Sequence, residues 1–317
     1  MRKKIYSLFI VIMFTTLIIL FFSFSKIVSN AIIFSTELFL KNIFPSLFPM
    51  FLISSMLISI GFPEFLALVT KNIMTKIFKT KGEASFVFFM SMLTGFPSSA
   101  KYTNDLLEKK LITKKEATKI LSFTFFSNPL FIINTVGVMF LNNKKIGFLI
   151  LLSHAIGNII IGFIFRNFNK STNINNHLDT KKALKNFNNK INNTSLFNTL
   201  LNAIKDSIKT LTIVFGTITC FLIITSLVNH IFNLNSYTNV IITSILEVTS
   251  GLKAISMLKE STYLKALLSV FFISFGGLSV HAQIMNLLLD KDIPYLPFLF
   301  ARIMHAFIST FILYLLL

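Results

Sequence analysis

Long apolar runs alternate with short, mostly basic polar segments from one end of the chain to the other. Runs at 6–24, 44–62, 120–141, 146–165, 208–231 and 295–317 are each long enough to cross roughly 30 Å of hydrocarbon at about 1.5 Å per residue. The first follows Met1-Arg-Lys-Lys, yet it is too long for the apolar region of a signal peptide and precedes no small-x-small cleavage site. It reads as a retained helix. Two other runs are too short to span. The run 84–94 ends at Gly95-Phe96-Pro97-Ser98-Ser99 and turns polar over 101–119, which predicts a re-entrant segment. The run 264–275 ends at Gly276-Gly277-Leu278-Ser279 and predicts a second one. The order of span, amphipathic stretch, short run and glycine break therefore occurs twice.

Charge orients this pattern. With the N-terminus inside, the segments 1–5, 64–83, 101–119 and 166–205 face inside and hold 20 of the 30 Lys and Arg residues, against 8 outside, in line with the inside excess of basic residues in membrane proteins. The break at Gly95 then opens from inside and the break at Gly276 from outside. The expected fold is an all-α polytopic membrane protein with two inverted repeats and re-entrant or broken helices, a plan found in many secondary transporters. Its parts are an N-terminal transmembrane helix (1–26), a first repeat (27–165) broken near Gly95, a polar basic inside linker (166–205) and a second repeat (206–317) broken near Gly276.

Composition narrows the function. The chain is 54% hydrophobic and only 13% charged, where a soluble domain carries roughly 25% charged residues; a soluble enzyme is excluded. The net charge of +18 is spread over short loops rather than gathered on one domain, so the expected partner is the lipid bilayer and not nucleic acid. A single cysteine, Cys220, permits no disulfide framework and no cysteine-rich metal site. The motifs of metalloproteases, serine hydrolases and P-loop ATPases are absent, and so is a pair of intramembrane aspartates. No enzyme and no cofactor are expected; a coupling proton or cation stays open.

The polar residues beside the breaks are the candidates for chemistry. Gly95, Ser98, Ser99 and Lys101 place a turn, hydroxyls at a helix start and a cation together, which suits an anion. Thr113-Lys-Lys-Glu116 fits a capping box. Asn128, before Pro129 in the middle of a span, can meet freed backbone groups or point at a solute. Glu247, followed by Thr249 and Ser250, puts a carboxylate in an apolar stretch, where such a residue is a functional candidate or one half of an ion pair with Arg302 or Lys101. Gly276, Gly277, Ser279, His281 and Gln283 form a second polar cluster. His154 and His305 read as hydrogen-bonded packing residues. Arg302 reads as a cation that snorkels to the outer interface or holds an anion.

Taken in order, Phe44-Pro45-Ser46-Leu47-Phe48-Pro49-Met50-Phe51, Thr94-Gly95-Phe96-Pro97-Ser98-Ser99-Ala100-Lys101, Asn128-Pro129-Leu130-Phe131-Ile132, Leu246-Glu247-Val248-Thr249-Ser250-Gly251 and Phe275-Gly276-Gly277-Leu278-Ser279-Val280-His281-Ala282-Gln283 resemble the successive motifs of the YlbJ / SpoVV sporulation integral membrane proteins. In that family the second of these often reads Ser-Gly-Tyr-Pro-x-Gly-Ala-Lys, and Thr94, Phe96 and Ser99 stand here for its Ser, Tyr and second Gly. The resemblance implies a nucleoside-recognition (Gate) membrane protein similar in plan to concentrative nucleoside transporters. It further implies movement of dipicolinate (pyridine-2,6-dicarboxylate) across the outer forespore membrane. A nucleoside or other small solute, or a non-transporting scaffold docking through 166–205, are the competing readings. Homo-oligomers and other sporulation membrane proteins stay open as partners.

Overall fold

The computed structural model describes residues 2–168, 187, 195–232 and 234–317, and its regular elements are helical throughout. Helix α1 (Arg2–Ser23) turns at Phe24 into α2 (Ser25–Leu38). A π-wound turn (Phe39–Ile43) carries α2 straight into α3 (Phe44–Ser59), so Ser25–Ser59 is one helix of 35 residues rather than an outside loop followed by a span. Pro45 lies in the first turn of α3, where its missing N–H costs little.

After the amphipathic helix α4 (Phe62–Ile73), α5 (Ala84–Thr94) and α6 (Ser98–Glu108) form a re-entrant hairpin with Gly95 at its tip. Both ends of the hairpin lie on one face, where Lys81 Nζ donates to Leu111 O at 3.2 Å and approaches Glu116 Oε2 at 3.6 Å. The capping box closes as expected: Thr113 accepts from Glu116 N–H and Glu116 accepts from Thr113 N–H. It opens α7 (Lys114–Phe123), followed by an extended segment and a π-wound helix, α8 (Phe131–Phe140). Helix α9 (Lys144–Ile164) returns to the starting face, where Lys119 Nζ donates to Arg166 O at 2.6 Å. The unit α7–α8 is therefore a span broken at 124–130.

Helix α10 (Leu196–Phe232) is 37 residues long and takes in 196–205, which the sequence assigns to the linker; of the rest of that linker, 169–186 and 188–194 lie outside the described residues. It runs antiparallel to α2–α3, with the Phe24 ring 5.1 Å from His230, Phe39 4.8 Å from Phe215, and Ser35 Oγ 2.9 Å from Thr219 Oγ1. At about 1.5 Å per residue α10 exceeds the hydrocarbon thickness, so it tilts or projects. These two long helices form an arm beside the rest of the molecule.

The second half corrects the expected hairpin. Helices α11 (Ser236–Leu246) and α12 (Val248–Ser256) fold back on each other around Glu247, and Gly251 lets them touch: a Cβ there would lie 2.3 Å from the Ser244 backbone. The re-entrant hairpin is here. Helices α13 (Thr262–Phe275) and α14 (Gly277–Leu287) instead make one broken span. Helix α15 (Tyr295–Leu316) gives the proof. Tyr263, at the start of α13, meets Tyr314 at the end of α15, whereas α14 leads directly to Asp292 and the start of α15. Two left-handed glycines in a row, Gly276 (φ 95°) and Gly277 (φ 66°), offset the helix without reversing it.

Each half thus runs hairpin, broken span, unbroken span: α5/α6, α7–α8, α9, then α11/α12, α13–α14, α15. The start of α15 meets the face of the first half that the charge pattern assigns to the inside. Lys114 pairs with Asp292 at 2.9 Å and Lys291 with Glu108 at 3.1 Å. Lys291 therefore moves from the outside to the inside count, and Lys41, now within the helix 25–59, leaves the outside count, so the basic asymmetry grows to 21 against 6. The first hairpin opens to this face and the second to the other, where Lys265 Nζ donates to Ser256 O.

Candidate functional site

A chain that leaves the helical ladder inside an apolar bundle must find other partners for its backbone. At the first break, α9 and α15 supply them. Arg302 Nη2 donates to Ser122 O, Asn158 Nδ2 donates to Phe125 O, and His154 Nε2 accepts from Ser127 N–H at 3.0 Å. On the other side Asn128 Oδ1 accepts from Leu130 N–H (2.8 Å) and Phe131 N–H (3.2 Å), and its Nδ2 donates to Ser46 Oγ (2.9 Å) and Thr94 O (3.2 Å). All four hydrogen-bonding positions of Asn128 are used within the protein. It caps α8 and ties the break to the first hairpin.

The same partners fix the histidine tautomers. A ring nitrogen that receives an N–H carries its lone pair, so His154 Nδ1 is the donor, to Ser274 Oγ at 2.9 Å. His305 Nε2 donates to His154 O (2.9 Å), which leaves Nδ1 to accept from Arg302 Nη1 (2.9 Å). Both rings are neutral. Arg302 itself is fully buried, lies 4.6 Å from the Phe125 ring and 5.4 Å from Phe298, and has no carboxylate at ion-pair distance among the described residues. It faces the C-terminal end of α7, whose carbonyls and dipole carry negative charge. A snorkelling Arg302 is thereby corrected: its side chain reaches neither interface.

Glu247 is the reverse case. Extended at φ −142° and ψ 113°, it ends α11 and caps α12, accepting from Thr249 N–H (3.0 Å) and Ser250 N–H (2.7 Å). Its buried carboxylate sits on the positive end of α12 and, among the described residues, pairs with neither Lys101 nor Arg302. Thr249 and Ser250 enter the site through their backbone N–H groups.

The two tips rest on the two breaks. A Cβ on Gly95 (φ 83°) would lie 2.3 Å from Asn128 N, and one on Gly277 would lie 3.1 Å from Val248 N. Across the halves, a Cβ on Gly276 would lie 2.4 Å from Phe125 Cζ, and the Phe125 ring stacks on Phe96 at 5.0 Å. Gly95, Asn128, Glu247, Gly276 and Gly277 thus meet in one layer at the middle of the bundle.

Several predicted ligands have other work. Lys101 Nζ is held by Asp105 Oδ2 (2.7 Å) and Ser55 Oγ (2.8 Å), so the expected anion-binding cation is neutralised one helical turn away. Ser98 Oγ bonds to Gly95 O and to Thr94 Oγ1. His281 Nε2 donates to Phe275 O (2.8 Å), and Nδ1 accepts from Tyr295 Oη (2.7 Å). Gln283 is buried on α14. What remains is at two helix starts. Helices α6 and α14 both begin at the central layer without a side-chain cap, pack together and end on the inside face. Each carries a fully buried hydroxyl with no hydrogen-bond partner among the described residues, Ser99 Oγ and Ser279 Oγ. At the start of α6 the N–H groups of Ser98 and Ala100 turn back to Gly95 O and Pro97 O, so the hydroxyls and the positive helix ends are what suit a carboxylate there.

Sequence reasoning missed Phe125, Asn158, Ser274 and Tyr295. Asn158 was open to detection: it lies four residues from His154 on one face of an apolar helix, as His305 lies three from Arg302. An apolar cavity of about 290 Å³ lined by Ile53, Met56, Leu57, Ile60, Leu196 and Thr199 lies between α3 and α10, away from the tips.

These features define an all-helical polytopic membrane protein, with five helices long and apolar enough to cross a membrane among the described residues. Its sequence is similar to the sporulation integral membrane protein YlbJ of Bacillus subtilis (strain 168), with 30% identity over 296 residues, covering 83% of this chain and 71% of the relative. The chain belongs to the YlbJ family of sporulation integral membrane proteins. No family model and no solved structure matches it.

Proposed function

We propose that this chain is a secondary, alternating-access carrier of dipicolinate across the outer forespore membrane. The observation that carries the reading is the pair of uncapped half-helix starts with partnerless buried hydroxyls, Ser99 and Ser279, at a layer where two hairpin tips meet two broken spans. Half-helix ends at mid-membrane are where secondary transporters hold solutes. One carboxylate of a flat pyridine dicarboxylate fits the Ser99 hydroxyl and positive end of α6, the other the Ser279 hydroxyl and positive end of α14, with the half-buried Phe96 ring offering an aromatic contact. Membership of a family of sporulation membrane proteins supports the setting.

The packing changes the mechanism from rocking halves to another partition. The two halves interlock through Lys114–Asp292, Lys291–Glu108, Arg302 with Asn158, and His305 with His154. The arm of α2–α3 and α10 meets this interlocked core most closely at α14, and also at α11 and at α4, α5 and α6. The solute helices therefore face the arm, and access changes when the core shifts against it.

The test is uptake of labelled dipicolinate into proteoliposomes with uridine as competitor. Saturable uptake that resists uridine and weakens in Ser99→Ala and Ser279→Ala supports the reading. Competition by uridine points to a nucleoside carrier, and absence of uptake under proton and sodium gradients from folded protein points to a scaffold.

A further inference from the structure

The first break is held by three fully buried side chains that have no part in the proposed solute contacts. Arg302, from α15, takes Ser122 O; Asn158, from α9, takes Phe125 O; His154, also from α9, takes Ser127 N–H. They act on three points of one short stretch, two carbonyl acceptors and one amide donor. Each side chain is itself oriented by another. Arg302 Nη1 contacts Asn158 Oδ1 and His305 Nδ1, and His154 Nδ1 is anchored on Ser274 of α13. The far side of the same stretch builds the central layer, because Phe125 meets Phe96 and the Gly276 turn while Asn128 meets the Gly95 tip. Whatever fixes 122–128 fixes both tips.

We infer that Arg302, Asn158 and His154 are positioning residues: a backbone clamp that holds the first broken span in the conformation on which the central site is built. Left without them, Ser122 O, Phe125 O and Ser127 N–H lose their partners in a region with no water to replace them. The stretch then re-forms helix or moves, and the tips lose their registration. The consequence for uptake rests on the carrier reading above; the clamp itself does not.

Hydrogen–deuterium exchange of the full chain in lipid nanodiscs, without solute, tests it. In His154→Phe the amides of 124–130 exchange about tenfold faster, the factor set by losing one buried hydrogen bond, while peptides of α10 are unchanged. His154→Gln, whose amide oxygen can take the place of Nε2, restores slow exchange. Unchanged exchange of 124–130 in His154→Phe, or an equal rise in every peptide, overturns the clamp. If His154→Phe does not assemble, Asn158→Leu, which removes the donor to Phe125 O without adding a charge beside Arg302, carries the same two outcomes. In the uptake assay the clamp variants raise KM about tenfold with the maximal rate little changed. Absence of dipicolinate uptake in the unaltered protein, with exchange behaving as stated, overturns the solute and leaves the clamp standing.

Discussion

Ser98 and Ser99 are neighbours with opposite expectations. Ser98 Oγ is bonded at the tip and Ser99 Oγ is partnerless. Ser98→Ala should cost about 1 kcal/mol of stability and lower the thermal unfolding midpoint in detergent. Ser99→Ala and Ser279→Ala should leave that midpoint within error and raise the KM for dipicolinate; a fall in stability in either would show that the hydroxyl serves the fold. Gly95→Ala meets the Asn128 backbone and a positive φ at once, so it should fail to assemble. Glu247→Gln keeps one capping acceptor and Glu247→Ala none, so Ala should be the less stable of the two by about 1 kcal/mol. Lys101 shows what the sequence hides at this scale. Its position after a glycine turn was legible, but whether Asp105 turns back onto it depends on the rotamers and on the buried face that α3 provides.

At the scale of elements, the Gly95 hairpin was legible because a short apolar run, a glycine, a proline and serines coincide there. The Glu247 hairpin was not. No glycine or proline marks that tip, since a single extended glutamate ends one helix and caps the next. Gly276-Gly277 was misread for the converse reason: a glycine pair breaks a helix equally whether the chain reverses or continues, and only packing against α15 decides. Topology follows and can be checked. With Cys220 replaced by Ser, Leu289→Cys should react with a membrane-impermeant maleimide from the same side as Lys110→Cys, and Met257→Cys from the opposite side. Labelling of Leu289→Cys from the side of Met257→Cys would restore a hairpin at Gly276.

At the scale of the whole molecule, the interlocked halves make a specific claim about motion. A bismaleimide bridging Lys114→Cys and Asp292→Cys joins the two halves within the core and should leave uptake largely intact. The same reagent bridging Ile58→Cys and Lys109→Cys joins arm to core, where Lys109 Nζ already donates to Ile58 O at 2.9 Å, and should stop it. The reverse pattern would indicate halves that rock. The Lys114–Asp292 pair also carries a pH expectation. The lysine beside it, by hydrogen bond and by charge, holds the Asp292 carboxyl below its usual 3.8. A depressed carboxyl contributes above its unfolded pKa and loses that contribution as pH falls through the folded one, so the pair should persist through neutral and mildly acidic conditions. Exposure makes it weak and sensitive to salt.

The tautomers of His154 and His305 bear on proton traffic. Two histidines, an arginine and a serine in a line through a membrane protein have the look of a relay. A relay needs a lone pair that is vacant when the proton arrives. On His154 that lone pair is occupied by the Ser127 amide, and on His305 by the Arg302 guanidinium, so a proton entering this line must first undo the clamp. Any pH-gradient-driven uptake should therefore take a route outside this line and survive His305→Gln.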